Sequence, residues 1–129
     1  MRAVTVPVSY GEAADKLTIL AIKRARLSDA NQLANVRKEY ALLEAALFGA
    51  ITRSGEFDAL FAKLKAVNET LWNIEDDIRA HEARGDFGES FVQLARAVYQ
   101  NNDERAAIKR AINRLLGSDL REEKSYAGR

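Results

Sequence analysis

Three polar residues lie inside the apolar face of residues 56–84, which form one long helix-favouring stretch. The apolar residues of this stretch recur at heptad spacing and predict a helix with a hydrophobic seam: Phe57, Leu60, Leu64, Val67, Leu71, Ile74 and Ile78. Asn68, Glu75 and Arg79 fall within the same arc, beside Trp72. A buried polar group without a hydrogen bond costs about 1–3 kcal/mol, so these side chains need partners. Where those partners lie is the functional question that the sequence poses.

A second set of polar residues, Asn102, Arg105 and Lys109, falls inside the apolar face of the last helical stretch if that stretch is continuous. Laying this helix antiparallel to the previous one, about the turn at 85–88, brings together residues whose numbers sum to roughly 172. Asn102 and Arg105 then lie within about one helical turn of Asn68 and Glu75. We expect Glu75 to pair with Arg105, and Glu75 and Arg79 can also pair along one helix.

Three hypotheses for this polar layer stay open. In the preferred one the layer fixes helix register in a non-enzymatic interaction or assembly module. In the second it binds a small anionic metabolite, such as a nucleotide or nucleotide-sugar, through a pocket under the tryptophan. The residues of that pocket are Asn68, Trp72, Glu75, Arg79, Asn102, Arg105 and Lys109.

The third hypothesis is a Mg²⁺-dependent nucleotide pyrophosphohydrolase, because Mg²⁺ takes oxygen ligands from carboxylates on facing helices. Glu75 and Glu82 would supply them, with Glu39 or Glu44 from the second helix. Only this alternative needs a cofactor, and the sequence assigns no catalytic residue and no metal ligand otherwise. A lone histidine, His81, and the absence of a phosphate-cradling glycine loop both disfavour an enzyme.

Length and composition predict a single domain over residues 1–129, since 47% of the chain is hydrophobic and 129 residues suffice for a core. The chain has no cysteine, no secretory leader and no apolar run near the roughly 20 residues needed to span a bilayer, so we expect a cytoplasmic protein. Charges of both signs are interleaved and balance to +1. Neither nucleic acid nor membrane is therefore an expected partner.

Terminator and cap residues predict four helices. Val4, Val6 and Val8 alternate in an extended lead-in, and Ser9 with Glu12 forms a capping box that starts the first helix, which runs to about Leu27. The second helix runs from Ser28-Asp29 to about Arg53 and is closed by Ser54-Gly55. The third ends at Gly85, and the fourth is capped by Asp86 and ends at Gly117, with a break or kink near Asn102 as the alternative to one continuous helix.

Short connections between these helices predict an all-α, up-and-down antiparallel bundle with a short extended N-terminus. Residues 118–129 form a loop or a short strand that pairs with residues 3–8. Residual apolar surface on the second helix, formed by Ala46, Phe48 and Ile51, suggests a homodimer.

Several motifs resemble a small bacterial and phage protein family of unknown function: residues 8–12, 15–23, 33–39, 64–69, 71–79, 102–110 and 122–126. The resemblance covers almost the whole chain and implies no activity. It does imply that the polar motif positions include Asn68, Trp72, Glu75, Arg79, Asn102 and Arg105.

Overall fold

A computed structural model describes residues 2–120 and residue 123. It contains four helices, α1 (Tyr10–Arg26), α2 (Ala30–Ala50), α3 (Gly55–Arg84) and α4 (Glu89–Leu116). The predicted all-α bundle of four long helices is confirmed. Residues 2–9 precede α1 and hold neither helix nor strand. The expected loop or strand covers residues 118–129. Residues 118–120 and 123 hold no strand, and residues 121, 122 and 124–129 lie outside the described residues.

The fourth helix is continuous from Glu89 to Leu116, so the alternative with a break near Asn102 is wrong. Its first turn follows a tight connection in which Asp86 Oδ1 accepts a hydrogen bond from the Gly88 amide at 3.2 Å. Gly88, and not Asp86 as expected, is the N-cap residue. Because the helix is unbroken, Asn102, Arg105 and Lys109 share one face of it at three- and four-residue spacing.

Helix α1 lies at the centre of the fold, since it packs against each of the other three helices. Contacts between α1 and α4 join early residues of one helix to late residues of the other, which makes the two antiparallel. Helices α3 and α4 are also antiparallel, and the rings of His81 and Phe91 lie 6.4 Å apart, in the register that the sequence predicts. Helix α2 packs along α1 and meets α3 near the connection between them.

The hydrophobic core is filled mainly by α1, α3 and α4. Leu17, Phe57, Leu64 and Ile112 are completely buried. Phe48 adds an edge-on ring contact to Phe57 at 6.1 Å between centroids. Together with Ile51, Phe48 packs against this core. The apolar surface proposed for a homodimer on α2 therefore loses two of its three residues to contacts within the chain.

The helix ends differ from the expected ones in three places. Ser9 does cap α1 by accepting a hydrogen bond from the Glu12 amide at 3.1 Å, but the Glu12 carboxylate binds Lys109 and does not complete a capping box. Helix α2 ends at Ala50, three residues before Arg53. Ser54 does not help to close it and instead caps α3, accepting from the Phe57 amide at 3.1 Å.

Gly85 ends α3 in the left-handed conformation, with φ of 66°, as predicted. No helix of the described chain combines the length and the apolarity that a membrane crossing requires.

Helices α1 and α4 come closest at Gly11. Its amide donates to Asn113 Oδ1 at 2.7 Å. A Cβ atom at this position would lie 2.5 Å from the carbonyl oxygen of Lys109, which is backbone and cannot move aside easily. The missing side chain of Gly11 thus sets the distance between the two helices.

We predict that Gly11→Ala lowers the free energy of unfolding by about 2–3 kcal/mol, because overpacking at a helix crossing forces backbone shifts. Gly49→Ala is the matched control, since nothing lies within 4 Å of a Cβ atom at that helical position. It should raise stability by about 0.5–1 kcal/mol through the lower chain entropy of alanine. Urea unfolding followed by circular dichroism measures both, and equal effects for the two variants would contradict the close approach.

Candidate functional site

Asp15 is the centre of a polar network that joins α1, α3 and α4. Its side chain is only 2% exposed. Arg105 on α4 binds it with two parallel hydrogen bonds, from Nε to Oδ1 at 2.8 Å and from Nη2 to Oδ2. Asn68 on α3 donates from Nδ2 to Oδ1 at 2.9 Å. One buried carboxylate therefore receives donors from both neighbouring helices, and the two-pronged arginine contact fixes its orientation.

Thr18 completes this network, which we call the Asp15 network: Asp15, Thr18, Asn68 and Arg105. The Thr18 hydroxyl donates to the Asp15 carbonyl at 2.7 Å and accepts from Asn68 Nδ2 at 2.8 Å. Across the described residues, every buried side-chain nitrogen and oxygen has a hydrogen-bond partner. The buried polar groups of the network thus all have partners, which makes their burial tolerable.

Two further polar contacts continue the network along the α1–α4 crossing. Lys109 Nζ binds Glu12 Oε2 at 2.8 Å, and the lysine side chain is only 8% exposed. One turn further along α4, Asn113 accepts the Gly11 amide. Arg105, Lys109 and Asn113 follow each other at intervals of four residues, so they form one row on α4. This row fixes the register between α1 and α4.

Asp15 was not among the expected site residues, although the sequence carries a signal for it. Asp15 and Thr18 share a helix face with Ile19 and Ile22, at spacings of three to seven residues. Polar residues inside an apolar arc are the pattern that singled out Asn68 on α3. Applied to α1 as well, the same pattern would have supplied the partner for Arg105.

The expected ion pair between Glu75 and Arg105 is wrong. Glu75 Oε1 instead accepts from Arg79 Nε at 3.0 Å, four residues along α3. Both members of that pair are exposed, with 54% of the Glu75 side chain open to solvent. Arg105 turns toward α1 because Asp15 lies deeper in the protein, where an ion pair is less screened by water.

A solvent-facing cleft of about 380 Å³ lies between α1, α3 and α4, directly above the Asp15 network. We call it the α1–α3–α4 cleft. Its residues are Ile19, Ile22, Asn68, Leu71, Trp72, Glu75, Asp76, Val98, Asn102 and Arg105. Five of the seven expected site residues are among them. Arg79 adjoins the cleft through its pair with Glu75, and Lys109 lies away from it on Glu12.

The charges around the cleft do not favour an anion. Arg105 and Lys109, the two cations expected to receive it, are each paired with a carboxylate of α1. Glu75 and Asp76 add two further carboxylates to the cleft itself. A phosphate or carboxylate ligand would have to displace an existing ion pair, and it would meet like charges at the rim.

The carboxylates proposed for Mg²⁺ do not gather in one place. Glu39 forms an ion pair with Lys16 at 2.9 Å. Among the residues that the structure describes, no three histidine, cysteine, aspartate or glutamate side chains are grouped closely enough to hold a metal ion. The hydrolase hypothesis thus gains no support from the geometry of these residues.

The fold and the network define the class of protein: a four-helix bundle in which a buried aspartate on the central helix joins two neighbouring helices beneath an open cleft. The chain belongs to a protein family described as a family of unknown function (DUF6165), whose model matches residues 4–129. The resemblance to an uncharacterised family is therefore confirmed. No curated protein and no solved structure matches the chain.

We predict that Asp15→Asn destabilises the protein by about 3 kcal/mol, because it leaves the partly buried guanidinium of Arg105 without its counter-charge. Arg105→Gln should act similarly, and the double variant should be more stable than the sum of the two single effects implies by at least about 1 kcal/mol. Denaturant unfolding of all four proteins completes this double-mutant cycle.

The exposed pair Glu75–Arg79 is the control for this cycle. Glu75→Gln and Arg79→Gln, alone and together, should change stability by less than about 0.5 kcal/mol. Additive effects of the Asp15 and Arg105 substitutions would show that the two side chains do not act as a pair.

Proposed function

We propose that this protein is a non-enzymatic interaction module that receives apolar side chains of a partner polypeptide in the α1–α3–α4 cleft. The observation that carries the proposal is the difference between two neighbouring regions, the Asp15 network and the cleft above it. The buried polar groups of the Asp15 network all have hydrogen-bond partners, whereas the cleft above them is open to solvent and carries apolar side chains. The network supports the module, and the cleft supplies its recognition surface.

The Asp15 network is suited to structure and not to chemistry. A general base must reach the proton that it removes, yet the Asp15 side chain is 2% exposed and both its oxygens already accept hydrogen bonds. A reaction at this carboxylate would first have to break the contacts that hold three helices together. The same contacts give the cleft a fixed polar floor.

The walls of the cleft have the composition of a binding surface. Tryptophan is enriched among the residues that dominate interface energies, because it buries a large rigid area. The guanidinium carbon of Arg26 lies 5.8 Å from the centroid of the Trp72 ring, within cation–π range. Arg26 also donates to Asn73 Oδ1 at 2.6 Å. Aliphatic side chains from all three helices line the same cleft: Ile19, Ile22, Leu71 and Val98.

An anionic metabolite is the weaker candidate for the same cleft, because its expected cations are already paired. We place the module in the cytoplasm, a proposal that rests on the absence of cysteine from the chain.

The proposal predicts weak, selective binding of single amino-acid mimics. In ¹H–¹⁵N NMR titrations, N-acetyl-leucine amide should shift the Trp72 indole signal and the side-chain amides of Asn68 and Asn102. Trp72 is the sole tryptophan, so its indole signal is unambiguous. N-acetyl-serine amide, which lacks the apolar side chain, should shift these signals at least about tenfold less at equal concentration, because transfer of apolar surface drives the binding.

Val98→Asp should abolish the effect of the leucine probe by placing a charge in the cleft wall. Leu42→Asp is the matched control, since Leu42 is an exposed leucine on α2, outside the cleft. It should leave the titration unchanged. Equal shifts from the leucine and serine probes, or shifts confined to another surface, would refute the proposed role of the cleft.

A further inference from the structure

Residues 2–8, which we call the N-terminal arm, are uncovered in this chain. Val4, Val6 and Val8 are 89, 61 and 49% exposed. The arm takes part in no hydrogen bond of the described chain. Exposed apolar side chains on a backbone without hydrogen-bond partners are typical of a segment that pairs with another polypeptide.

The sequence of the arm gives it one apolar face. In an extended chain, side chains at alternate positions point the same way, so the three valines lie together. Pro7 falls between two of them and removes the backbone donor on the opposite edge. The arm can thus dock through one face and one edge only, which suits insertion into a groove better than incorporation in the middle of a sheet.

We propose that the α1–α3–α4 cleft of one chain receives the N-terminal arm of a second copy of the same chain. This inference rests on the proposed function and names the partner of that site. The arm offers aliphatic side chains, and the cleft offers an aliphatic wall with Trp72. Exchange between two copies related by a twofold axis fills both clefts and covers both arms.

Charge complementarity supports this occupant. Arg2 stands at the far end of the arm, beyond Val4, and it carries a positive charge. The cleft carries carboxylates at Glu75 and Asp76, and Asp76 has no ion-pair partner among the described residues. An arm that docks with its Arg2 end toward α3 places the guanidinium near these carboxylates.

The arm is long enough to reach the cleft of a neighbouring copy. Ser9 has an extended backbone, with φ of −68° and ψ of 159°, and its carbonyl accepts from the Ala13 amide at 3.0 Å. The cleft begins at Ile19, about 15 Å further along α1. An extended arm of this length reaches about 23 Å, so it can reach the cleft of its own chain or that of a neighbouring copy, and the trapping experiment distinguishes the two.

Disulfide trapping tests the exchange directly, because the chain has no cysteine of its own. Val6→Cys places a thiol on the arm, and Val98→Cys places one in the cleft. Mixing these two variants under mild oxidation should give a covalent heterodimer as the main product. Mixing Val6→Cys with Leu42→Cys, which carries its thiol on the exposed surface of α2, should give at least about tenfold less.

Three outcomes of the trapping experiment would overturn the exchange. The first is a crosslinked monomer from the double variant V6C/V98C, because the arm would then fill the cleft of its own chain. The second is equal crosslinking to V98C and L42C, which shows random collision. The third is preferential V6C–V6C dimers, which shows that arms pair with each other.

Sedimentation equilibrium gives an independent measurement with charge variants. The unmodified chain should associate to a dimer. R2E and D76R should each raise the dissociation constant of this dimer at least about tenfold, because like charges then oppose each other across the interface. The combined variant R2E/D76R should restore the dissociation constant to within about threefold, because the pair is re-formed with opposite polarity. Circular dichroism checks that all variants fold.

A monomer at all concentrations, or a double variant as weak as the single ones, would overturn the exchange. These failures are distinguishable from failure of the proposed function. The amide probes compete for the cleft whatever its natural occupant, so a monomeric protein that still binds the leucine probe keeps an interaction cleft and loses only the second copy as its partner.

Discussion

The ion pair between Asp15 and Arg105 determines how the rest of the bundle is arranged. A carboxylate that is almost fully buried on α1 is tolerable only when donors surround it, and α3 and α4 supply them through Asn68 and Arg105. These contacts specify which helices lie beside α1 and the position of each helix along its own axis relative to α1. Apolar packing alone would tolerate a sliding of one helix against another, whereas a two-pronged arginine contact does not. The pair thus contributes more to uniqueness of the fold than to its net stability.

Much of the fold could be predicted from the sequence because its determinants are local. The heptad seam of α3, the left-handed glycine at Gly85 and the serine cap at Ser9 each depend on neighbours within a few residues. Predictions were weakest at helix ends with competing signals. Ser54 and Gly55 fit both the end of α2 and the start of α3, and the side-chain contact to the Phe57 amide decides for α3.

The candidate site could be predicted only in part, because its partners come from different helices. Helical periodicity found Asn68, Trp72, Asn102 and Arg105, which do meet at one cleft. It pairs Arg105 with the wrong carboxylate, because the antiparallel register about the turn at 85–88 relates only α3 to α4. Asp15 lies on α1, about ninety residues away, and its distance from Arg105 depends on the three-dimensional packing. Pairing of charges is a tertiary property, and the single-helix pattern shows only which groups need a partner.

The attachment of α2 has a consequence for the motions of the molecule. No residue of α2 belongs to the Asp15 network, which joins α1, α3 and α4. Only Val36 and Leu47 are buried along the length of α2. Helix α2 contacts the rest of the molecule through α1, including the ion pair between Glu39 and Lys16, and through the ring of Phe48. Segments with few buried groups open at a lower free energy than the whole protein. The backbone amides of α2 can therefore exchange their hydrogens with water through local opening events, while the three other helices stay closed around their shared carboxylate.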